Sequence, residues 1–464
     1  MTLAKIIATL GPKSADAASI KALADAGARC FRLNLSYDDT PTHDGLIQAV
    51  RQVEAEVGDP LCLIADLAGP RFRIGAFAAG SIHLEVGQTL KLDQDEAPGD
   101  ATRVYLPVPE AFATASIGDQ LRLDDGRVIL RVKAITPVSL TCSVVAGSEL
   151  SSYKIISLPR TAPRRDQLTK RDREQILWAR DAGIDWLSAT WPSQSLIWQE
   201  IRDNAGSMRV LAKMDSGASL QESDQALEMA DGLVVARGDI GYDIPPEEIP
   251  GWQKRLVRAA RQTGKPVVIS AQMLESMVSS PAPTRAEASD VANAVRDGAD
   301  ALMLSAETAI GAYAEDSVAL MKSVIDSTEA SQAPAQTNAS EDETPSIAGS
   351  IARAAAVAAD ELSAPLIFCF TSSGSTALSV ARTRPKTTII CASDSQQALR
   401  QMQLVWGLRC LPAPALKTWL DVVGTAVKLG KDLKVPSGEP LVITAGMPFG
   451  TAGSTNILRI TTAA

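Results

Sequence analysis

Charged side chains lie in or directly after several short apolar runs of this sequence, and their types limit the chemistry open to them. Lys213 lies inside such a run, and an unpaired charge buried there would be costly. Cations and carboxylates that converge on one site suit an anionic substrate and a hard divalent ion, since Mg²⁺ and Mn²⁺ prefer oxygen ligands. This combination is typical of phosphoryl transfer, in which a protein mainly positions groups and neutralises charge. The cations are Arg32, Arg73 and Lys213, and the carboxylates are Asp66, Asp215 and Asp239.

Composition argues against several other chemistries. The chain has 464 residues and only two histidines, His43 and His83, so histidine-ligated zinc and Ser-His-Asp catalysis are poor expectations. With 54 acidic and 45 basic side chains the net charge is −9, which argues against a dedicated nucleic-acid binder.

The six cysteines form no CxxC pair, so we expect buried, reduced thiols. No signal-peptide layout and no apolar run of ~20 residues is present, which predicts a cytoplasmic protein without membrane contact.

Short apolar strands alternate with amphipathic helices along much of the chain. Eight such alternations, with continuous apolar strand runs, indicate an α/β fold built on a parallel (β/α)8 (TIM) barrel. A doubly wound open sheet is the alternative. The predicted barrel strands are 4–10, 30–36, 61–67, 186–190, 210–215, 232–237, 266–272 and 301–307.

Two regions depart from this alternation. Short β-branched segments with turn signals between about 71 and 163, including a hairpin at 121–132, indicate a small inserted β domain. Residues 330–345, rich in Ala, Ser, Gln, Thr and Pro, have the composition of a linker before a second α/β domain. The predicted domains are therefore a barrel (1–70 and 164–344), an inserted β-barrel lid (71–163) and a C-terminal regulatory domain (345–464).

In a barrel, functional groups gather at the carboxyl ends of the strands. Arg32, Asn34 and Ser36 end the second strand and, two apart, point the same way. Polar residues also end later strands, at Asp66, Lys213 and Asp215, Gln272 and Glu307, and the strand at 232–237 runs into Asp239. For each aspartate, a helix cap or a turn is the alternative reading.

Seven motifs, in order along the chain, resemble the pyruvate kinase family. They are 31–36 (FRLNLS), 65–70 (ADLAGP), 210–213 (VLAK), 236–241 (ARGDIG), 272–277 (QMLESM), 283–293 (PTRAEASDVAN) and 303–308 (MLSAET). The resemblance implies transfer of the phosphoryl group of phosphoenolpyruvate to ADP, giving pyruvate and ATP, with Mg²⁺ or Mn²⁺ as cofactor. It also implies a homotetramer. The alternatives are a degenerate relative that binds phosphorylated ligands with little turnover, and a related enol-phosphate phosphotransferase.

The resemblance also implies a role for each matching residue. The catalytic group would be Lys213, Arg32 and Arg73, with Asp215 and Asp239 as the magnesium ligands. The substrate would contact Arg32, Lys213 and the amides of Arg237, Gly238 and Asp239. The nucleotide would contact Asn34, Arg73 and Lys154.

Several positions depart from the family pattern. Asp215 stands where the family usually has Glu, which shortens the arm by roughly 1.5 Å. Ala271 replaces a Thr, Tyr37 replaces a His, and Leu67-Ala68 replaces Thr-Lys. These changes put the rate of turnover in doubt.

Arg71 suggests that the enzyme does not need K⁺. Members with a basic residue here resemble the K⁺-independent type, because a fixed guanidinium can substitute for a mobile cation. The affected monovalent-cation site would be Asn34, Ser36 and Asp66, with Arg71 as the replacement. The alternative is that Arg71 only pairs with a surface carboxylate.

A Ser/Thr-rich turn in the C-terminal domain resembles the family's sugar-phosphate effector loop. It follows an apolar strand and precedes a helix, so hydroxyls and free amides would meet an anion there. A simple helix cap is the alternative. The predicted effector residues are Thr371, Ser372, Ser373, Gly374, Ser375 and Thr376.

Overall fold

The computed structural model describes residues 2–36, 40–69, 72–124, 126–158, 167–192, 194–331, 346–448 and 455–464. No helix in these ranges is long and apolar enough to cross a membrane. The strands, in chain order, are β1 (Lys5–Thr9), β2 (Cys30–Asn34), β3 (Cys62–Asp66), β4 (Ser81–His83), β5 (Thr89–Asp93), β6 (Arg103–Tyr105), β7 (Gln120–Leu123), β8 (Val128–Thr136), β9 (Ser139–Ala146), β10 (Glu149–Ser151), β11 (Ile156–Ser157), β12 (Trp186–Thr190), β13 (Arg209–Met214), β14 (Gly232–Ala236), β15 (Val267–Ser270), β16 (Ala301–Leu304), β17 (Leu366–Phe370), β18 (Thr388–Ser393), β19 (Leu408–Pro412), β20 (Pro440–Gly446) and β21 (Thr455–Thr462).

The helices follow the apolar periodicity of the sequence, and several begin at a Ser, Thr or Asp cap. Thr284, for example, accepts from the amide of Glu287 while the Glu287 side chain reaches back, which satisfies two otherwise unpaired amides of the helix start. The helices are α1 (Ala17–Ala26), α2 (Thr40–Val57), α3 (Pro109–Thr114), α4 (Lys170–Asp181), α5 (Ser195–Ala205), α6 (Gly217–Gln221), α7 (Ser223–Met229), α8 (Arg237–Asp243), α9 (Ile249–Thr263), α10 (Arg285–Asp297), α11 (Ala306–Ala309), α12 (Ala314–Ser331), α13 (Ile347–Glu361), α14 (Ser375–Arg382), α15 (Gln396–Met402) and α16 (Trp419–Asp432).

Eight parallel strands close into a barrel, in the order β1-β16-β15-β14-β13-β12-β3-β2. The prediction of a (β/α)8 barrel is confirmed, and the open-sheet alternative is wrong. Most of these strands are buried along their whole length, because helices cover the outside and side chains such as Trp186 fill the inside. Closure brings the carboxyl ends of all eight strands to one mouth.

The segment between β3 and β12 forms separate β structure with its own apolar core. A six-stranded sheet runs in the order β11-β7-β8-β9-β5-β6, and β4 pairs with β10. The predicted hairpin is present as the antiparallel pair β7–β8. Arg122 on β7 donates to the carbonyl of Gly241 at 2.7 Å, which joins this sheet to barrel helix α8.

The C-terminal sheet has the order β19-β18-β17-β20-β21, and β21 is its antiparallel edge strand. Apolar clusters cover both of its faces. All six cysteines are free and buried, as predicted. The linker predicted at 330–345 starts too early, because residues 330 and 331 still belong to α12, and residues 332–345 lie outside the described residues. The domain limits given above stay predictions.

The C-terminal domain closes the barrel end opposite the mouth. Leu404 packs among the interior side chains of the barrel, and Trp186 donates its indole N–H to the carbonyl of Gln401 at 3.0 Å. Lys5 at the start of β1 donates to the carbonyl of Leu408 at 2.6 Å. The two domains therefore share one packed interface at the base of the barrel.

Candidate active site

A single buried carboxylate, Asp66, gathers two cations at the mouth of the barrel. Arg32 donates to its Oδ2 through Nε at 2.9 Å and Nη2 at 2.6 Å. Lys213 Nζ and Ser188 Oγ donate to Oδ1 at 2.9 and 2.8 Å. Burial would raise the pKa of Asp66, but the charges of Lys213 and Arg32 bring that pKa well below its usual range. Asp66 is therefore ionised at neutral pH.

The charge of this cluster favours an anion. One carboxylate, Asp66, faces two cations, Arg32 and Lys213, so the three side chains together carry one positive charge in excess. Lys213 is buried and also donates to the carbonyl of Leu67 at 3.3 Å, which fixes its ammonium group in place. Such a preorganised cation is suited to stabilise charge that develops on a bound phosphate.

Asp215 directly follows β13 and is held on two sides. Thr190 Oγ1, at the end of β12, donates to Asp215 Oδ2 at 2.8 Å. The Asp215 amide donates to Ser219 Oγ at 3.1 Å. This carboxylate is buried at the end of β13, which lies beside β14, the strand that leads into Asp239.

Asp239 lies in the first turn of α8, which starts where β14 ends. The side chain of Arg237, two residues earlier, forms an ion pair with Asp290 at 2.7 Å and donates to the carbonyl of Ala271 at 2.8 Å. That side chain therefore joins α10 to the loop after β15. A substrate contact through the backbone amide of Arg237 stays a prediction.

Asp215 and Asp239 fit a magnesium or manganese ion by the chemistry of their donor atoms, since both offer only carboxylate oxygens. The described part of the chain holds no group of three or more His, Cys, Asp or Glu residues placed to bind a metal. A divalent ion at this mouth would therefore take its other ligands from water and substrate, as Mg²⁺ usually does.

Comparisons with known proteins show the family of the chain. The family model "Pyruvate kinase, barrel domain" matches residues 1–318, and "Pyruvate kinase, alpha/beta domain" matches residues 349–461. The chain belongs to the pyruvate kinase family. A curated pyruvate kinase from Agrobacterium vitis is 38% identical to it, over 99% of this chain and 98% of the relative. One from Methylorubrum extorquens is 37% identical, over 98% of this chain and 96% of the relative. A crystal structure of a pyruvate kinase from Cryptosporidium parvum matches with a TM-score of 0.92 and 28% identity, over 100% of this chain and 96% of that one.

The described residues that the pyruvate kinase resemblance links to a monovalent cation, Asn34, Ser36 and Asp66, lie at the ends of β2 and β3. Asn34 stands opposite Asp66 in the strand register, and its Oδ1 accepts from the amide of Ser36 at 3.2 Å. Arg71, the predicted substitute for the cation, lies outside the described residues, as does Tyr37. The hypothesis of K⁺ independence therefore stays a prediction.

Two predicted nucleotide contacts belong to the base of the inserted domain. Arg73 donates to the carbonyl of Tyr153 at 2.9 Å and pairs with Ile155 through a β-bridge. Lys154 forms an ion pair with Asp124 at 2.6 Å. Both cations are thus tied to the inserted domain by these contacts.

Three residues near the mouth depart from the sequence prediction, since Glu307 lies in α11 and not in a strand, and Ser188 and Thr190 are absent from the predicted site. Glu307 caps backbone amides, accepting from Leu274 at 3.1 Å and Ser305 at 2.7 Å, so it supports the loops of the mouth. Sequence reasoning missed Ser188 and Thr190, which touch Asp66 and Asp215. Their spacing of two at the end of β12 was the available signal.

The predicted effector loop borders a cavity of about 240 Å³ in the C-terminal domain. Gly374 has φ +88°, a conformation that glycine adopts readily, and its amide donates to Thr371 Oγ1 at 2.9 Å. The carbonyl of Ser373 instead accepts from Arg209 of the barrel at 2.7 Å. Four of the six predicted residues line the cavity: Thr371, Ser372, Ser375 and Thr376.

Proposed function

We propose that this protein is a pyruvate kinase that acts in glycolysis. The P–O bond of phosphoenolpyruvate breaks, a new bond forms to a terminal phosphate oxygen of ADP, and the enolate is protonated at carbon to give pyruvate. The observation that carries the proposal is the Asp66 cluster with Arg32 and Lys213, at the mouth that also holds Asp215 and Asp239.

Each side chain of the cluster has a separate task in this proposal. Lys213 neutralises the phosphoryl group as it transfers, and Arg32 and Arg73 bind phosphate oxygens. Asp66 holds Arg32 and Lys213 in position by accepting hydrogen bonds from both. The amides of Arg237, Gly238 and Asp239 bind the substrate carboxylate.

Asp215 and Asp239 would hold Mg²⁺ or Mn²⁺, and Asn34, Arg73 and Lys154 would contact the nucleotide. When bound, the divalent ion neutralises charge on phosphate oxygens. Asp66, Arg32 and Lys213 supply the rest of the electrostatic field from the protein.

A lactate-dehydrogenase-coupled assay with phosphoenolpyruvate, ADP and either Mg²⁺ or Mn²⁺ tests the proposal. We expect pyruvate to form with at least one of the two metals. Absence of turnover with both would refute it and favour a relative that only binds phosphorylated ligands.

Turnover is further proposed not to require K⁺, because of the basic residue Arg71. The same assay in tetramethylammonium buffer should then give a rate close to that in K⁺ buffer. Strong activation by K⁺ would contradict this, and Arg71→Glu should create a K⁺ requirement if the guanidinium is the substitute.

A phosphorylated effector is proposed to bind the cavity beside Thr371–Thr376. Thr371 and Ser375 line that cavity, and Arg209 ties the loop to β13, the strand that carries Lys213. A sugar phosphate or AMP should then change the half-saturation for phosphoenolpyruvate or the thermal midpoint. If neither changes, the loop is only a helix cap.

Two further expectations concern the oligomeric state and the location of the protein. The family resemblance suggests a homotetramer, which sedimentation would test, and a cytoplasmic location, where glycolytic substrates occur.

A further inference from the structure

Thr190 has no role in the proposed mechanism, yet it contacts a proposed metal ligand directly. It is the last residue of β12, and its Oγ1 donates to Asp215 Oδ2 at 2.8 Å. In the parallel register, Thr190 stands beside Lys213, two residues before Asp215. The hydroxyl therefore extends from one strand end to the carboxylate that follows the next strand.

The surroundings leave this hydroxyl little freedom. Gly69, at φ +65°, lies so close that a Cβ there would be 2.4 Å from Thr190 Oγ1. That position therefore accepts only glycine, and the loop after β3 closes directly over the hydroxyl. Threonine is also β-branched, so its χ1 is restricted before any neighbour is counted.

The backbone of Asp215 is fixed independently. Its amide donates to Oγ of Ser219, a buried residue in α6, at 3.1 Å. Ser219 thus fixes the position of the Asp215 backbone, and Thr190 fixes the position of one carboxylate oxygen, Oδ2. Together these two bonds define the direction of the short carboxylate arm.

A fixed direction matters because Mg²⁺ demands near-octahedral geometry with oxygens at about 2.0–2.1 Å. Partners that orient a ligating carboxylate raise metal affinity, typically by 10–100-fold. We propose that Thr190 is a positioning residue that orients Asp215 toward the divalent ion. This inference rests on the proposed function, because it needs Asp215 to be a metal ligand.

The test compares variants that differ in the hydroxyl alone. Thr190→Val keeps the shape of the side chain and removes the donor, whereas Thr190→Ser keeps the donor. Thr190→Ala completes a second pair with Thr190→Ser, should the valine variant fold poorly. Thr328→Val is the control, because Thr328 is a buried threonine whose hydroxyl donates to the carbonyl of Val324 within helix α12.

Binding of Mn²⁺ to the purified full-length enzyme, followed by electron paramagnetic resonance, is the main readout. We expect Thr190→Val and Thr190→Ala to raise the dissociation constant for Mn²⁺ about tenfold. Thr190→Ser and Thr328→Val should stay within twofold of wild type. The Mg²⁺ concentration for half-maximal rate should rise in the same two variants, with thermal midpoints little changed.

The outcomes separate this inference from the proposed function. If wild type neither binds Mn²⁺ nor turns over phosphoenolpyruvate, the proposed function fails. If wild type does both and Thr190→Val binds Mn²⁺ as tightly as wild type, the positioning role of Thr190 is overturned. Equal losses in Thr190→Val and Thr190→Ser would also overturn it, since the hydroxyl would then be irrelevant.

Discussion

Asp66 explains how two cations can be buried at the barrel mouth. Arg32 and Lys213 each bond to one of its oxygens, so neither charge is left uncompensated in the interior. The burial of Arg32 and Lys213 also depends on Asp66, because removing one partner of a buried ion pair leaves a charge without compensation. Substrate anions would therefore bind to positive charges that are already in position.

Replacing Lys213 with Met should lower kcat at least about 100-fold, because a preorganised charge is lost where the phosphoryl group transfers. The KM for phosphoenolpyruvate should change less, since Arg32 remains. Steady-state kinetics in the coupled assay measure both constants. Lys5→Met is the control, as Lys5 is a buried lysine at the opposite end of the barrel. A kcat within fivefold of wild type in Lys213→Met would contradict this role.

At the level of elements, the loop after β15 takes a conformation that few residues adopt. Ala271 and Gln272 both have positive φ, at +73° and +54°, which is uncommon outside glycine. Arg237 donates to the carbonyls of both residues, and Asp290 on α10 holds Arg237. Two neighbouring elements therefore keep this backbone in a strained state.

Asp290→Asn should loosen this loop, because the neutral side chain no longer holds the Arg237 guanidinium by charge. We expect the KM for phosphoenolpyruvate to rise roughly fivefold with a smaller fall in kcat, since the amides at 237–239 lie beside the loop. Initial rates across phosphoenolpyruvate concentrations measure this. Asp181→Asn, on the exposed end of α4, is the matched control. An unchanged KM would show that the loop keeps its shape without the ion pair.

The elements also show what could be predicted from the sequence. Strand positions followed from continuous apolar runs, and β12 has the limits that its run indicated, 186–190. The loop at Ala271 could not be predicted, because its conformation depends on Arg237, which is 34 residues away in the chain. Motif spacing located the charged residues at the strand ends, but it could not show that Arg32 and Lys213 share Asp66.

Across the whole molecule, the domain interface at the base of the barrel carries a network of charges. Arg400 on α15 forms an ion pair with Glu54 on α2 at 2.5 Å. Arg51 on the same helix as Glu54 pairs with Asp185, just before β12, at 3.1 Å. This network joins the C-terminal domain to the strand that bears Ser188 and Thr190.

Asp185 makes the stability of this interface depend on pH. Its carboxylate is almost fully buried, and this burial outweighs the charges of Arg51 and Arg400 and raises the pKa of Asp185 to about 6. The unfolded chain has a pKa near 3.9 for such a group, so between about pH 4 and pH 6 the folded state holds more protons. Asp185 therefore lowers the stability of the fold as pH rises through that window, and its contribution is constant above about pH 6.5.

Asp185→Asn removes this titration and tests whether Asp185 lowers the stability of the fold as the pH rises. Between pH 4.5 and pH 7.5 the stability of the variant relative to wild type should rise by about 2 kcal/mol, seen as a few degrees in the difference between thermal midpoints. Melting curves followed by circular dichroism at both pH values measure that difference. Asp181→Asn, exposed on the neighbouring helix, should show no such trend. A difference between Asp185→Asn and wild type that is the same at both pH values would mean that Asp185 stays ionised in the folded protein, with the guanidinium of Arg51 compensating its burial in full.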